Sequence, residues 1–124
     1  MAKTRRFRAA AAALAMGALA PGALLAHAHL VGAAPADGET VDAAPEIITL
    51  DFDDALELEF SSFTLRPADG EAQDLSAVAG AGAQSVELAV TETLPPGAYA
   101  LDWAVMASDG HITEGTLTFT VAGD

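Results

Sequence analysis

Apolar and polar residues alternate in short runs along this chain, and Gly, Pro and Asp separate the runs. From Glu46 to Phe52, Ile48, Leu50 and Phe52 fall on one side and Ile47, Thr49 and Asp51 on the other. Residues two apart in an extended segment share a face, so this pattern predicts a half-buried strand. The same period recurs in Ser85–Val90, with Val86, Leu88 and Val90 inward, and in Tyr99–Met106, with Tyr99, Leu101, Trp103 and Val105 on one face. In Gly115–Val121, Leu117, Phe119 and Val121 oppose Thr116, Thr118 and Thr120. In Glu59–Arg66, Phe63 and Leu65 are apolar against Ser62, Thr64 and Arg66, whereas Leu58 and Phe60 have the opposite parity, which predicts a bulge or bend near Ser61. His29–Ala33 reads as a first short strand.

The punctuation fits these runs. Pro35-Ala36-Asp37-Gly38 and Asp69-Gly70 are turn signals, Ala79–Ala83 is a Gly/Ala loop, and Pro95-Pro96-Gly97 breaks the chain. Only Asp54–Leu58 admits a helical reading, and it is too short to change the class. There is no internal repeat and no linker. The expectation is one all-β domain, a two-sheet sandwich of roughly seven strands with Trp103 in its core.

The N-terminus follows a different rule. Lys3, Arg5, Arg6 and Arg8 precede an Ala-rich apolar run from Ala9 to Leu25, broken at Pro21-Gly22, and small residues follow. This is the pattern of a secretory signal; the run is broken and short for a membrane span of ~20 residues. The small pair Ala26 and Ala28 favours cleavage after Ala28, while cleavage after Ala26 puts Leu24 at the outer position. Either cut leaves a histidine, His27 or His29, at the new terminus.

Removing the leader changes the charge. It carries four of the five basic residues, so Arg66 alone remains against all 18 acidic ones. Such a field disfavours nucleic acid and anionic lipid and attracts cations, although many of these carboxylates are ordinary solvated surface. There is no cysteine, so neither a disulfide nor a thiolate site is available to an exported domain. After processing, the sole methionine is Met106.

Candidate chemistry concentrates in Ser108-Asp109-Gly110-His111, between the two long alternating segments. If the backbone is extended there, Asp109 and His111 aim a carboxylate and an imidazole to one side. The remaining histidines, His27 and His29, lie at the mature terminus. A terminal histidine offers its amine and its ring; His111 adds a nitrogen and Asp109 an oxygen. Three nitrogens and one oxygen suit tetragonal Cu(II), with tetrahedral Zn(II) as the alternative. A turn in which His111 bonds only its neighbours explains the same residues without a metal.

From His27 to Val121 the chain resembles the copper resistance protein C (CopC) family. The resemblance rests on His27-Ala28-His29-Leu30-Val31 before Pro35-Ala36-Asp37-Gly38, and on Ala43-Ala44-Pro45 leading to Ile48-Thr49-Leu50-Asp51-Phe52. It continues through Pro96-Gly97-Ala98-Tyr99, Asp102-Trp103, Ser108-Asp109-Gly110-His111 and Gly115-Thr116-Leu117-Thr118-Phe119. It implies an immunoglobulin-like Greek-key β-sandwich or barrel. It also implies one Cu(II) per chain, held by the amine and ring of His27 with Asp109 and His111. The spacing from His27 to Pro35 fits the family better than that from His29, which favours cleavage after Ala26 and a domain of residues 27–124. A rival mode wraps the metal with the amine, two main-chain nitrogens and His29. The chain departs from the family at Asp53-Asp54, where relatives often have Ser and an acidic residue, and at Ile112, where proline is frequent. Asp54 is a nearby carboxylate but is not counted as a ligand.

The resemblance implies an exported, periplasmic or extracytoplasmic, non-enzymatic protein of copper homeostasis that buffers copper or carries it to a multi-spanning membrane copper transporter. Two other functions compete. One is a histidine-brace copper oxidase acting on a polysaccharide or small molecule, for which only Tyr99 and Trp103 offer large polar-edged aromatics. The other is a plain structural sandwich with incidental histidines.

Overall fold

The alternating runs become the strands of two facing sheets in a computed structural model that describes residues 28–123. The proposed leader and His27 lie outside the described residues. The strands are β1 (Leu30–Ala34), β2 (Glu39–Val41), β3 (Ile47–Phe52), β4 (Ser62–Pro67), β5 (Gln73–Asp74), β6 (Ser76–Ala79), β7 (Ser85–Ala89), β8 (Gly97–Met106) and β9 (Ile112–Val121). One sheet has the order β1-β3-β7-β6 and the other β2-β9-β8-β4-β5. The antiparallel pairs β3–β7 and β4–β8 join strands that are not consecutive, the crossing connections of a Greek-key sandwich.

The inward sets are those that the alternation predicts. Ile48, Leu50 and Phe52 of β3, Val86 and Leu88 of β7, Phe63 and Leu65 of β4, four residues of β8 and three of β9 are all buried in one core. Phe52 meets Trp103 edge-on at 5.2 Å between ring centres, and Tyr99 stacks on Phe119 at 5.5 Å. Such pairs add to the area that they bury.

Among the described residues there are nine strands, where about seven are expected. Three of the nine, β2, β5 and β6, match none of the alternating runs; they are two to four residues long and form sheet edges. The parity change before Ser61 is resolved by a short 3-10 helix, Leu58–Phe60, after which β4 starts with the correct face inward. Pro35-Ala36-Asp37-Gly38 forms the expected turn, with Gly38 at φ 83 and the Glu39 N–H donating to the Ala36 carbonyl. Asp37 then accepts from the Thr118 N–H at 2.9 Å, which ties the turn to β9.

Candidate metal centre

The two longest strands, β8 and β9, pair from Gly97↔Val121 to Met106↔Ile112, so the chain must reverse within Ala107–His111. The sequence reading takes this stretch as extended; the structure corrects it to a hairpin loop. The Gly110 N–H donates to the Ala107 carbonyl, and the Ala107 N–H to the His111 carbonyl, both at 2.9 Å. Gly110 sits at φ 91, where side chains are disfavoured, which is why glycine fits there.

Asp109 and His111 still converge, but through the turn. One oxygen of Asp109 accepts from the His111 N–H at 3.0 Å, an aspartate bonding the main chain two residues on. The other, Oδ2, lies 2.9 Å from His111 Nδ1. The main-chain N–H of His111, and then its ring, hold the Asp109 carboxyl below the usual carboxylate range. The imidazole is 65% exposed, so an ion can reach the pair from solvent.

The loop is fastened to the segment that follows β3. The Ser108 N–H donates to the Ala55 carbonyl at 3.0 Å, and Ala107 bridges Leu56. Asp54 Oδ1 accepts from the Ala55 N–H at 2.8 Å and lies 3.5 Å from the Ser108 hydroxyl. This carboxylate therefore has a role in shaping the loop's support.

The same segment holds the start of the described chain. Ala28 is fully buried in the core. The His29 N–H donates to Asp53 Oδ1 at 2.7 Å, the Asp53 N–H donates to the His29 carbonyl at 3.0 Å, and His29 Nδ1 lies 3.4 Å from Asp53 Oδ2. These contacts carry the β1–β3 ladder past its last pair, Leu30↔Phe52. The His29 main-chain N–H is also the first cause of a lowered Asp53 carboxyl pKa. Sequence reasoning gives Asp53 no role, because its partner is 24 residues away and no local spacing marks the pair. The one available sign was the departure from the family pattern at that position.

The structure thus brings Asp109 to His111, and it bonds the Ala28–His29 strap and the Asp109 loop to one short segment, Asp53–Glu57. His27 lies outside the described residues. Among the described residues, no three of His, Asp or Glu are grouped so as to hold a metal ion. A complete centre here requires donors beyond the Asp109–His111 pair.

The surroundings bear on the competing functions. Tyr99 and Trp103 are both buried, so neither offers a flat surface to a polysaccharide. The Tyr99 hydroxyl donates to the Pro95 carbonyl. Arg66, the sole Lys or Arg among the described residues, is engaged by both oxygens of Asp102. No helix among the described residues is long and apolar enough to cross a membrane.

Comparison with known proteins gives one consistent result. Residues 30–122 match the family model of the CopC domain. The chain is 36% identical over 123 residues to Protein YobA of Escherichia coli (strain K12), covering 98% of this chain and 99% of that one. It is 34% identical over 124 residues to Copper resistance protein C of Xanthomonas campestris pv. juglandis, covering 93% and 97%. Among solved structures, CopC from Methylosinus trichosporium OB3b superposes with a TM-score of 0.72 at 32% identity, covering 77% of this chain and 94% of that one. PcoC, a methionine-rich copper resistance protein from Escherichia coli, gives 0.67 at 35% identity, covering 77% and 99%. With residues 30–122 matched by the family model and the fold shared with solved CopC and PcoC structures, the chain belongs to the CopC family.

Proposed function

We propose that this chain is an exported Cu(II)-binding protein that buffers copper or carries it to a membrane copper transporter. Its centre consists of the amine and ring of His27, a carboxylate oxygen of Asp109 and the imidazole of His111. The observation that carries this reading is the separation of Asp109 Oδ2 and His111 Nδ1, 2.9 Å. Two donors at roughly 2.0 Å from a first-row metal, at right angles around it, stand roughly 2.8 Å apart. The hairpin holds the two atoms near that spacing as a hydrogen-bonded pair, and an ion that takes both displaces the proton between them and turns the ring lone pair toward itself.

The remaining positions go to His27, one residue before the buried Ala28. The strap that ends in Ala28 and the loop that carries Asp109 are fastened to the same segment, which supports a shared centre. Copper resistance, the property in the names of several relatives, supports binding and transfer over oxidation. The donor set supports Cu(II) over Zn(II), since affinity at such sites rises to copper along the divalent series and Zn(II) favours a tetrahedron. With Met106 as the sole methionine beyond the leader, the chain lacks the soft donors for a Cu(I) cluster.

Intact-mass measurement of the secreted protein, with and without copper, tests the reading. The expected result is a chain that begins at His27 and gains one Cu(II). A chain that retains two tightly bound Cu(I) ions contradicts it.

A further inference from the structure

We propose that Asp53 selects the coordination mode of the N-terminal copper site by clasping His29 and withholding it from the metal. The inference rests on the reading above and extends it to a residue outside the donor set. A chain that begins His27-Ala28-His29 can bind Cu(II) in two ways. One takes the amine and ring of His27 and closes the square with Asp109 and His111. The other wraps the metal in the terminal tripeptide alone, through the amine, the main-chain nitrogens of Ala28 and His29, and the His29 ring. The second mode needs no fold, and it bypasses the hairpin loop.

The structure obstructs that wrap at each residue it describes. The wrap takes the main-chain nitrogen of His29 as a donor, and here that nitrogen gives its hydrogen to Asp53 Oδ1 at 2.7 Å. It takes the His29 ring, and here Nδ1 faces Asp53 Oδ2 at 3.4 Å. It requires the tripeptide to curl into one plane, and here Ala28 is packed in the core and the His29 carbonyl accepts from the Asp53 N–H at 3.0 Å. A single carboxylate therefore bonds one of the four donors and stands beside a second, in a segment aligned with β3. Hydrogen bonds to a charged acceptor are the stronger kind, which makes this clasp more than an incidental contact.

The test is made in His111→Ala, where the folded centre has lost a donor and the wrap is the main competitor. Cu(II) affinity is measured by competition with a calibrated chelator on protein that begins at His27, and the nitrogen donors are counted from the copper electron-spin spectrum. Adding Asp53→Ala is expected to raise affinity by roughly tenfold or more, the scale on which hydrogen-bond partners of ligands act. A four-nitrogen spectrum should appear and be abolished by further adding His29→Ala. Removing a carboxylate from an acidic surface weakens cation binding on charge alone, so a gain isolates the release of His29. Unchanged or weaker binding on adding Asp53→Ala, with the spectrum unaltered, overturns the proposal. The proposed centre is tested separately by comparing His111→Ala with the unmodified protein. The wrap uses no atom of the loop, so either idea can fail alone.

Discussion

Trp103 and Gly115 face each other across the β8–β9 ladder, and a Cβ on Gly115 would stand 2.3 Å from Cζ2 of the indole. The glycine is there because the indole occupies the space that a side chain would take. Gly115→Ala should destabilise the domain by about 1–3 kcal/mol, the usual cost of overpacking a core. For a domain of this size, each kcal/mol shifts the melting temperature by roughly 4–8 °C. Thermal unfolding followed by the single tryptophan checks this; an unchanged midpoint would mean that the indole moves aside freely.

Asp109 is expected to contribute to metal binding far more than to the fold. Asp109→Ala should lower Cu(II) affinity at least 10–100-fold, the range seen even for partners that only orient a ligand, with a small change in the melting point of the metal-free protein. A chelator competition and a thermal scan on the same sample separate the two effects. Equal copper affinity in the variant would remove Asp109 from the centre.

Acid should loosen the loop and the N-terminal strap at low pH. The Asp109 and Asp53 carboxyls are both held below the ordinary value, chiefly by the main-chain N–H groups of His111 and His29. A carboxyl whose pKa is lower in the folded state stabilises fully above its unfolded value, about 3.9, and loses that contribution as pH falls through the folded value. Titration of the side-chain carboxyl carbons by NMR should place both midpoints below about 3.9. Midpoints at or above that value would show that the two contacts do not persist in solution.

Salt should stabilise residues 27–124, the domain that removal of the proposed leader would leave. Arg66 alone faces 18 acidic residues, so the folded surface repels itself. Raising ionic strength from about 0.01 M to about 1 M shortens the screening length from roughly 30 Å to roughly 3 Å, and the melting temperature should rise over that range. A fall would mean that specific ion pairs outweigh the general repulsion.

The core was legible in the sequence because strand parity leaves a local trace. Ile48, Leu50 and Phe52, or Leu117, Phe119 and Val121, can only share a face if the chain is extended, and all six are buried. Strands β2 and β6 left no such trace. Their residues are mostly exposed, and pairing with β9 and β7 holds them in place. The Asp109–His111 pair was legible as residue types, but the mechanism of convergence was not: the reversal between two ten-residue strands overrides the extended parity assumed for Asp-Gly-His. The His29–Asp53 clasp was illegible, since only the β1–β3 register brings residues so distant in sequence together.

The most direct test of the proposed centre is the Cu(II) affinity of protein that begins at His27 against protein carrying one additional residue before it. The extension preserves every side chain and converts the α-amine into an amide, which destroys the chelate of amine and ring. Competition titration near neutral pH should give one tight Cu(II) for the chain that begins at His27. The extended chain should bind on the order of 100-fold more weakly, at or beyond the upper end of the 10–100-fold that outer partners produce. Equal affinity in the two proteins would show that the amine is not a ligand, and the centre built from His27, Asp109 and His111 would be wrong.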